Sequence, residues 1–224
     1  MSRRLSLAGM VALLVGGTAC AETLEPETPD ATQDDSTEAV RTREDTGGAE
    51  TPDAQTPEPT QDDSIAPVRT RGNTGDAEAQ VTLGLMYATG EGVPQDAVEA
   101  VAWYRQAAEQ GHAVAQVTLG VMYNTGQFVT QDVVEAVAWY RQAAEQGHAV
   151  AQINLGVLYA IGEGVPQDDV EAYKWFSLAT TYADESQRAG LAERRDLAAA
   201  RLTPEQLAEG QKRVREWSAT HSRE

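Results

Sequence analysis

A stretch of 36 residues occurs three times in succession, and this repetition constrains the fold more than any other feature of the chain. When the sequence is shifted by 36 positions, Trp103 aligns with Trp139 and Trp175. A period of this length is typical of an array of one supersecondary unit, in which neighbouring copies bury each other's apolar faces. The sequence therefore predicts three stacked repeats, at residues 77–112, 113–148 and 149–184.

Each repeat contains two helical segments separated by a glycine-containing loop. In repeat 1, Ala79, Leu83 and Tyr87 recur at helical spacing, which predicts a first helix over residues 77–88. Gly84 lies beside this face and allows another helix to approach closely. The loop at residues 90–95 then breaks the helix with two glycines and a proline.

A second helix is predicted in each repeat after an aspartate that has a glutamate three residues on, because this pair is a capping box. Gly111 and Gly147 are predicted to end second helices in the left-handed conformation. His112 and His148 follow those glycines, so we expect them to cap or shape the turn rather than to act as bases or ligands. The capping pairs are Asp96 with Glu99, Asp132 with Glu135, and Asp168 with Glu171.

Three short patterns recur in every repeat or nearly so: Ala-x-x-x-Leu-Gly-x-x-Tyr, Gly-x-Gly-Val, and Ala-x-x-Trp-x-x-x-Ala-Ala-x-x-Gly. Together they resemble the Sel-one-like repeat, a relative of the tetratricopeptide repeat. The resemblance implies an all-α fold, a right-handed α-solenoid of three helix-turn-helix repeats. Repeat 2 departs from the pattern at residues 126–130, Gly-Gln-Phe-Val-Thr, where we expect a different loop shape, and regular stacking is expected to end at residues 181–184.

The charge pattern changes after the repeats, which carry 13 acidic and 3 basic residues, whereas residues 185–224 carry 7 and 8. A helix is predicted to about Arg201, and residues 203–206, Thr-Pro-Glu-Gln, form a capping box that begins another helix through Trp217. We expect these helices to cap the last repeat, as the ends of solenoids require.

The N-terminus is typical of a bacterial export signal, with Arg3 and Arg4 before an apolar run and small residues near residue 21. Cys20 is the single cysteine, and residues 17–20, Gly-Thr-Ala-Cys, resemble a lipobox whose cysteine is acylated. Ordinary cleavage after Ala21 would instead remove the cysteine with the signal. The mature chain is predicted to begin at Cys20 or at Glu22, either of which leaves no free thiol.

Residues 22–76 are predicted to be a disordered acidic linker. The segment contains no aromatic residue, is rich in Pro, Thr, Asp and Glu, and carries an internal duplication with an offset of 28. Such a composition cannot bury enough apolar area to offset the entropy of the chain. The linker is therefore expected to hold a folded head away from a surface, and the alternative is a disordered tail that itself interacts with partners.

Composition and motifs exclude several kinds of chemistry. The formal net charge of −18 argues against a nucleic-acid partner, because carboxylates repel phosphates. No pattern of a zinc site, a phosphate-binding loop or a nucleophile elbow is present. We therefore expect no enzyme activity, no cofactor and no metal.

An apolar stripe is predicted on the first helices, on the face opposite Leu83 and Tyr87. The family resemblance places this stripe in the concave groove, where it would bind a partner. The alternative is that the C-terminal helices or a neighbouring subunit cover it. The stripe comprises Val81, Leu85, Val117, Val121, Ile153 and Val157, and the predicted hydrogen-bonding groups beside it are Gln80, Gln116, Gln152 and Asn154.

These features predict a protein-interaction adaptor of the bacterial cell envelope, located in the periplasm or anchored to the outer membrane, or secreted. Its partner is expected to be a peptide segment of another envelope protein, and the chain itself is expected to be a monomer. Two alternatives stay open. One is an envelope enzyme of the β-lactam-binding or hydrolysing type found among relatives with cysteine-rich repeats, and the other is a structural lipoprotein that self-associates.

Overall fold

The computed structural model describes residues 61–221, with side chains from residue 65 onward except that of residue 182. The predicted export signal, Cys20 and the linker up to residue 60 lie outside this part. Within it the chain forms nine α-helices and no strand. The helices are α1 Gln61–Asn73, α2 Ala77–Thr89, α3 Ala97–Glu109, α4 Ala113–Thr125, α5 Val133–Glu145, α6 Ala149–Ile161, α7 Asp169–Tyr182, α8 Glu185–Ala199 and α9 Pro204–His221.

The architecture is an α-solenoid, as predicted. From α1 to α8 each helix packs against the next one in the sequence, and α9 packs back onto α7. Repeats 1 to 3 supply the pairs α2 with α3, α4 with α5, and α6 with α7. Each first helix in the middle of the array therefore contacts the second helix of its own repeat and that of the preceding repeat.

The caps explain where the first helices begin. Asp76, His112, His148 and Asp184 stand 36 residues apart, and each is the residue that precedes a helix. The Asp76 carboxylate accepts a hydrogen bond from the amide of Ala79 at 3.1 Å. Such a bond satisfies an amide that the helix leaves unpaired at its first turn. His148 alone among the four makes no such side-chain bond.

The second helices begin as predicted. Asp96 accepts hydrogen bonds from the amides of Val98 and Glu99, and Asp132 and Asp168 likewise accept amides of the first turn in their repeats. The helices end before glycines in the left-handed region, with φ of 87° at Gly111 and 82° at Gly147. Only glycine adopts this backbone without a steric cost, so the turn between repeats is fixed by local sequence.

Helix α1 corrects the predicted extent of the linker, because residues 61–73 are helical rather than disordered. Ile65 of this helix is fully buried against Leu83 and Val93. The helix lies 36 residues before α3, and thus occupies the place of the second helix of an incomplete earlier repeat. Sequence analysis does not reveal that register, because the helix contains Pro67 and lacks aromatic residues. Gly75, 36 residues before Gly111, nevertheless adopts the same positive φ.

Close approach of helices inside each repeat depends on one glycine. A Cβ atom at Gly120 would lie 2.6 Å from the ring of Tyr140, nearer than carbon atoms tolerate. Gly84 and Gly156 stand in the same relation to Tyr104 and Phe176. The aromatic ring of the second helix therefore lies directly on the backbone of the first.

The loop of repeat 2 keeps its shape, contrary to expectation. Phe128 adopts a positive φ of 66°, close to the 76° of Gly92 and the 70° of Gly164. Its ring packs against the cluster that contains Tyr104 and Leu119. Partial burial of the ring offsets the backbone strain of a bulky residue in this region.

Two helices follow the repeats, as predicted. Helix α8 begins 36 residues after α6 and packs on α7, so it occupies the place of the first helix of a fourth repeat, and the expectation that regular stacking ends at residues 181–184 was wrong. Thr203 and Gln206 form the predicted capping box, each bonding the backbone amide of the other. Helix α9 is held on α7 by an ion pair of 2.7 Å between Arg213 and Glu171.

Candidate interaction surface

The predicted apolar stripe is only partly accessible. Val81, Val117 and Val121 are at most 7% exposed, so the expectation that these three side chains face solvent was wrong. Val81 lies in a core cluster with Tyr104, and the other two lie in the cluster around Tyr140. Stacking explains the difference, because a first helix between two second helices is buried on two sides rather than one.

The remaining three stripe residues are half-buried. Leu85 packs at the edge of the cluster that contains Val81. In repeat 3, Ile153 packs against Leu191 and Val157 packs near Ala198, both of which belong to α8. The C-terminal helices thus cover part of the stripe, which is the alternative that the sequence left open.

The three glutamines predicted to bind a partner bond within the chain instead. Gln116 is 2% exposed and donates to the carbonyl of Ala108 at 3.0 Å, and its side-chain oxygen accepts from Gln146 at 2.7 Å. Gln80 makes the corresponding bonds with Gly72 and Gln110. Gln152 donates to the carbonyl of Ala144. These amides join one repeat to the one before it, and their burial removes them from a partner site.

A second set of bonds between repeats was not predicted. The guanidinium of Arg141 donates to the phenol of Tyr159 at 2.7 Å, eighteen residues on. Arg69 and Arg105 bond Tyr87 and Tyr123 in the same way. The constant spacing of eighteen between an arginine and a tyrosine is the signal that could have revealed them.

A narrower surface remains accessible on the first helices, and we call it the first-helix face. Thr82 and Thr118 bond the backbone of their own helices, whereas the half-buried Asn154 makes no side-chain hydrogen bond with the described residues. The face is mixed in polarity and continues across three repeats. It comprises Thr82, Leu85, Thr118, Asn154, Val157 and Ile161.

A cavity of about 280 Å³ opens at the C-terminal end of the first-helix face, between α6, α7 and α8. Val157, Phe176 and Ala198 line its inner part. Ile161 and Leu197 flank it and are 58% and 59% exposed, unusually high values for large apolar side chains in this protein. An apolar hollow bordered by exposed apolar side chains is the usual form of a binding site.

Two arginines, Arg194 and Arg201, also line this cavity. Arg201 makes an ion pair of 3.3 Å with Asp169, and it keeps 55% of its side chain exposed. Arg194 is exposed and makes no ion pair with any of the side chains that the structure describes. Two guanidinium groups thus border an apolar hollow, one of them paired with a carboxylate, in a chain whose formal net charge is −18.

Titratable groups elsewhere belong to the core and the caps. Burial raises the pKa of Tyr104 to about 12 and raises that of Tyr140 further, so both phenols stay protonated at neutral pH. Burial lowers the pKa of His148.

Among residues 61–221 no cluster of three or more His, Cys, Asp or Glu could hold a metal ion. None of the helices described here has the length and apolar character needed to cross a membrane.

Comparison with known proteins follows the repeat pattern. The family model of the Sel1 repeat, which is the Sel-one-like repeat, matches residues 77–112, 113–148 and 149–181. A crystal structure of a Sel1 repeat protein from Oxalobacter formigenes is 36% identical, with a TM-score of 0.55 over 58% of this chain and 98% of that one. None of the curated proteins compared with the chain matches it significantly.

A second similar structure is a protective antigen present in uropathogenic Escherichia coli strains and displaying an SLR fold. It is 28% identical, with a TM-score of 0.51, and the match covers 75% of this chain but only 43% of the antigen's. Sel1 repeat proteins are generally scaffolds for protein–protein interaction and are typically not enzymes. The matched repeats, the shared fold and the identity to a solved member show that the chain belongs to the Sel1 repeat family.

Proposed function

We propose that the protein is an exported adaptor of the bacterial cell envelope that holds a segment of another envelope protein on its first-helix face. The observation that carries the proposal is the continuity of this face with the apolar cavity beside Val157. A face that ends in a pocket can anchor one side chain of an extended segment in the pocket and leave the rest in contact with the face.

Export and anchoring are part of the proposal and are supported by the N-terminal sequence. The export signal would direct the chain to the periplasm, and acylation of Cys20 would anchor it to the outer membrane. Residues 22–60 would then serve as the tether between the membrane and the repeats. The anchor would place the first-helix face within reach of other envelope proteins.

The proposal is tested by a cross-linked pull-down from envelope extract with two matched double variants. Thr118→Arg with Asn154→Arg adds two charges to the middle of the first-helix face. Val98→Arg with Val134→Arg adds two charges, also 36 residues apart, to second-helix positions that are 78% and 66% exposed. Circular dichroism checks that both variants stay helical.

We expect the native protein and the second-helix variant to capture the same defined partner, and the first-helix variant to lose it. Capture of an unchanged set of proteins by the first-helix variant, while it remains helical, would show that this face is not the binding site.

A further inference from the structure

The cavity beside Val157 coincides with a change in the repeat pattern. At the junction of repeats 2 and 3, Leu158 is 4% exposed in a cluster with Val121 and Tyr140, and Val165 packs against that cluster. Two apolar side chains from the following repeat thus fill the crevice of the preceding one. The same contact recurs at the start of the array, where Val93 is 5% exposed beside Ile65.

The next junction, between repeat 3 and α8, has the same crevice, but no apolar side chains from the following helix fill it. Val157 and Phe176 stand 36 residues after Val121 and Tyr140, and both line the cavity. The two positions that supply the filling are now Arg194, which corresponds to Leu158, and Arg201, which corresponds to Val165. A guanidinium carries a charge that is costly to bury unpaired, so neither arginine closes the crevice as the apolar residues do.

The volume and the charges together define what could occupy the crevice. A cavity of about 280 Å³ lies just below the range for whole small-molecule ligands, and it suits a single large apolar side chain better. Arginine is the side chain best suited to hold a carboxylate, because its planar fork can donate two parallel hydrogen bonds. Arg194 has no carboxylate partner on the described side chains, and Arg201 has one at 3.3 Å.

We propose that the cavity beside Val157 binds a partner segment that presents a large apolar side chain with an Asp or Glu within two residues of it. The apolar side chain would replace the missing Leu and Val of the repeat pattern, and the carboxylate would bond Arg194 or Arg201. This inference rests on the proposed adaptor function and specifies the chemistry of the partner.

The test uses the full chain and a set of short capped peptides with Leu, Ile or Phe beside Glu, each paired with a peptide that has Gln in place of Glu. Binding is followed by the NMR shifts of the backbone amides of Ala160 and Ala198, which line the cavity. We expect saturable shifts with a Glu peptide and at least about tenfold weaker binding of its Gln partner, as the loss of a charge-assisted bond predicts.

Protein variants make the test specific to the crevice. At least one of Arg194→Gln and Arg201→Gln is expected to weaken binding of the Glu peptide by about tenfold, whereas the control Arg215→Gln on α9 leaves that binding unchanged. The double variant Arg194→Leu with Arg201→Val copies the residues of the preceding junction, so it should abolish binding and raise the melting temperature. The Gln variants keep the test valid if the double variant does not fold.

Three results would overturn the inference. The first is equal binding of Glu and Gln peptides, and the second is no saturable binding by any peptide at millimolar concentration. The third is a change in the NMR signals of residues 22–60 caused by Arg194→Gln without peptide, which would identify the chain's own acidic segment as the occupant. A partner captured in the pull-down with no peptide binding would refute this inference and leave the adaptor function standing.

Discussion

The indole of Trp217 donates a hydrogen bond of 2.8 Å to the carboxylate of Glu145, a residue 72 positions earlier in the sequence. Trp217 is 7% exposed and packs against the largest core cluster, which spans repeats 2 and 3. The ring also stacks on His221 at 4.0 Å. The last helix therefore contacts the second repeat as well as the third, and we expect it to stabilise the C-terminal end of the array.

Replacing this tryptophan should expose how much the last helix stabilises the array. We expect Trp217→Ala to lower the free energy of unfolding by about 3–5 kcal/mol, since it removes a large buried side chain. Trp217→Phe retains most of the apolar area and should cost less. Urea denaturation followed by circular dichroism measures both, and a loss below about 1 kcal/mol for the Ala variant would show that α9 is not an integral part of the fold.

The buried glutamines should be coupled in pairs. Gln116→Ala leaves the carbonyl of Ala108 and the amide of Gln146 without their partner, so we expect a loss of about 1–3 kcal/mol. A double-mutant cycle with Gln146→Ala isolates the bond between the two side chains. Strict additivity of the two losses would contradict a direct bond between Gln116 and Gln146.

Two glycines on helices provide opposite expectations for the same substitution. Gly120→Ala should destabilise the protein, because the new Cβ atom would lie 2.6 Å from the ring of Tyr140. Gly190→Ala should stabilise it by about 0.5–1 kcal/mol, since nothing lies within 4 Å of the new atom and alanine favours helix. The melting temperatures of the two variants test both expectations. A Gly120→Ala protein as stable as the native one would mean that α4 and α5 are farther apart than described.

His148 should make stability depend on pH. Burial lowers the pKa of its imidazole below 6.5, so the unfolded chain binds a proton more readily than the folded one. The contribution to stability is complete above about pH 6.5 and decreases as the pH falls from there toward the lowered pKa of the folded state. We expect native protein to lose more stability between about pH 7.5 and about pH 5.5 than the His148→Asn variant does.

The same variant tests the cap. An asparagine side chain can accept the amide bond that His148 does not make, so His148→Asn should gain about 1 kcal/mol at neutral pH. His112→Asn is the comparison, because His112 already accepts the amide of Ala115 and pairs with Glu78. An equal gain in both variants would refute the distinction between the two histidines.

Sequence periodicity was sufficient to predict the repeats and their caps. Trp, Tyr and Gly positions recur every 36 residues, and the Asp residues before the second helices cap them as expected. Helix α1 escaped prediction because its contacts come from Ile65, Arg69 and the backbone of Gly72, none of which stands out in a segment of linker-like composition. Tertiary packing rather than helix propensity holds it in place.

The exposure of the stripe could not be predicted from one helix at a time. Val117 and Val121 lie opposite the predicted core face of α4, yet they are buried because α4 lies between two second helices. The cavity was also unpredicted, although its cause is visible in the sequence. Recognising it requires the knowledge that Leu158 and Val165 fill the preceding junction, which only the packed array provides.

The most direct test of the adaptor proposal is photo-cross-linking in cells of the native organism. A photoreactive phenylalanine analogue is placed at Thr118 or Ile161 on the first-helix face, and at Val98 on a second helix as the control. The proposal predicts that the two first-helix positions cross-link the same envelope protein and that position 98 does not. Cross-links of equal yield and identity at all three positions, or at position 98 alone, would contradict it.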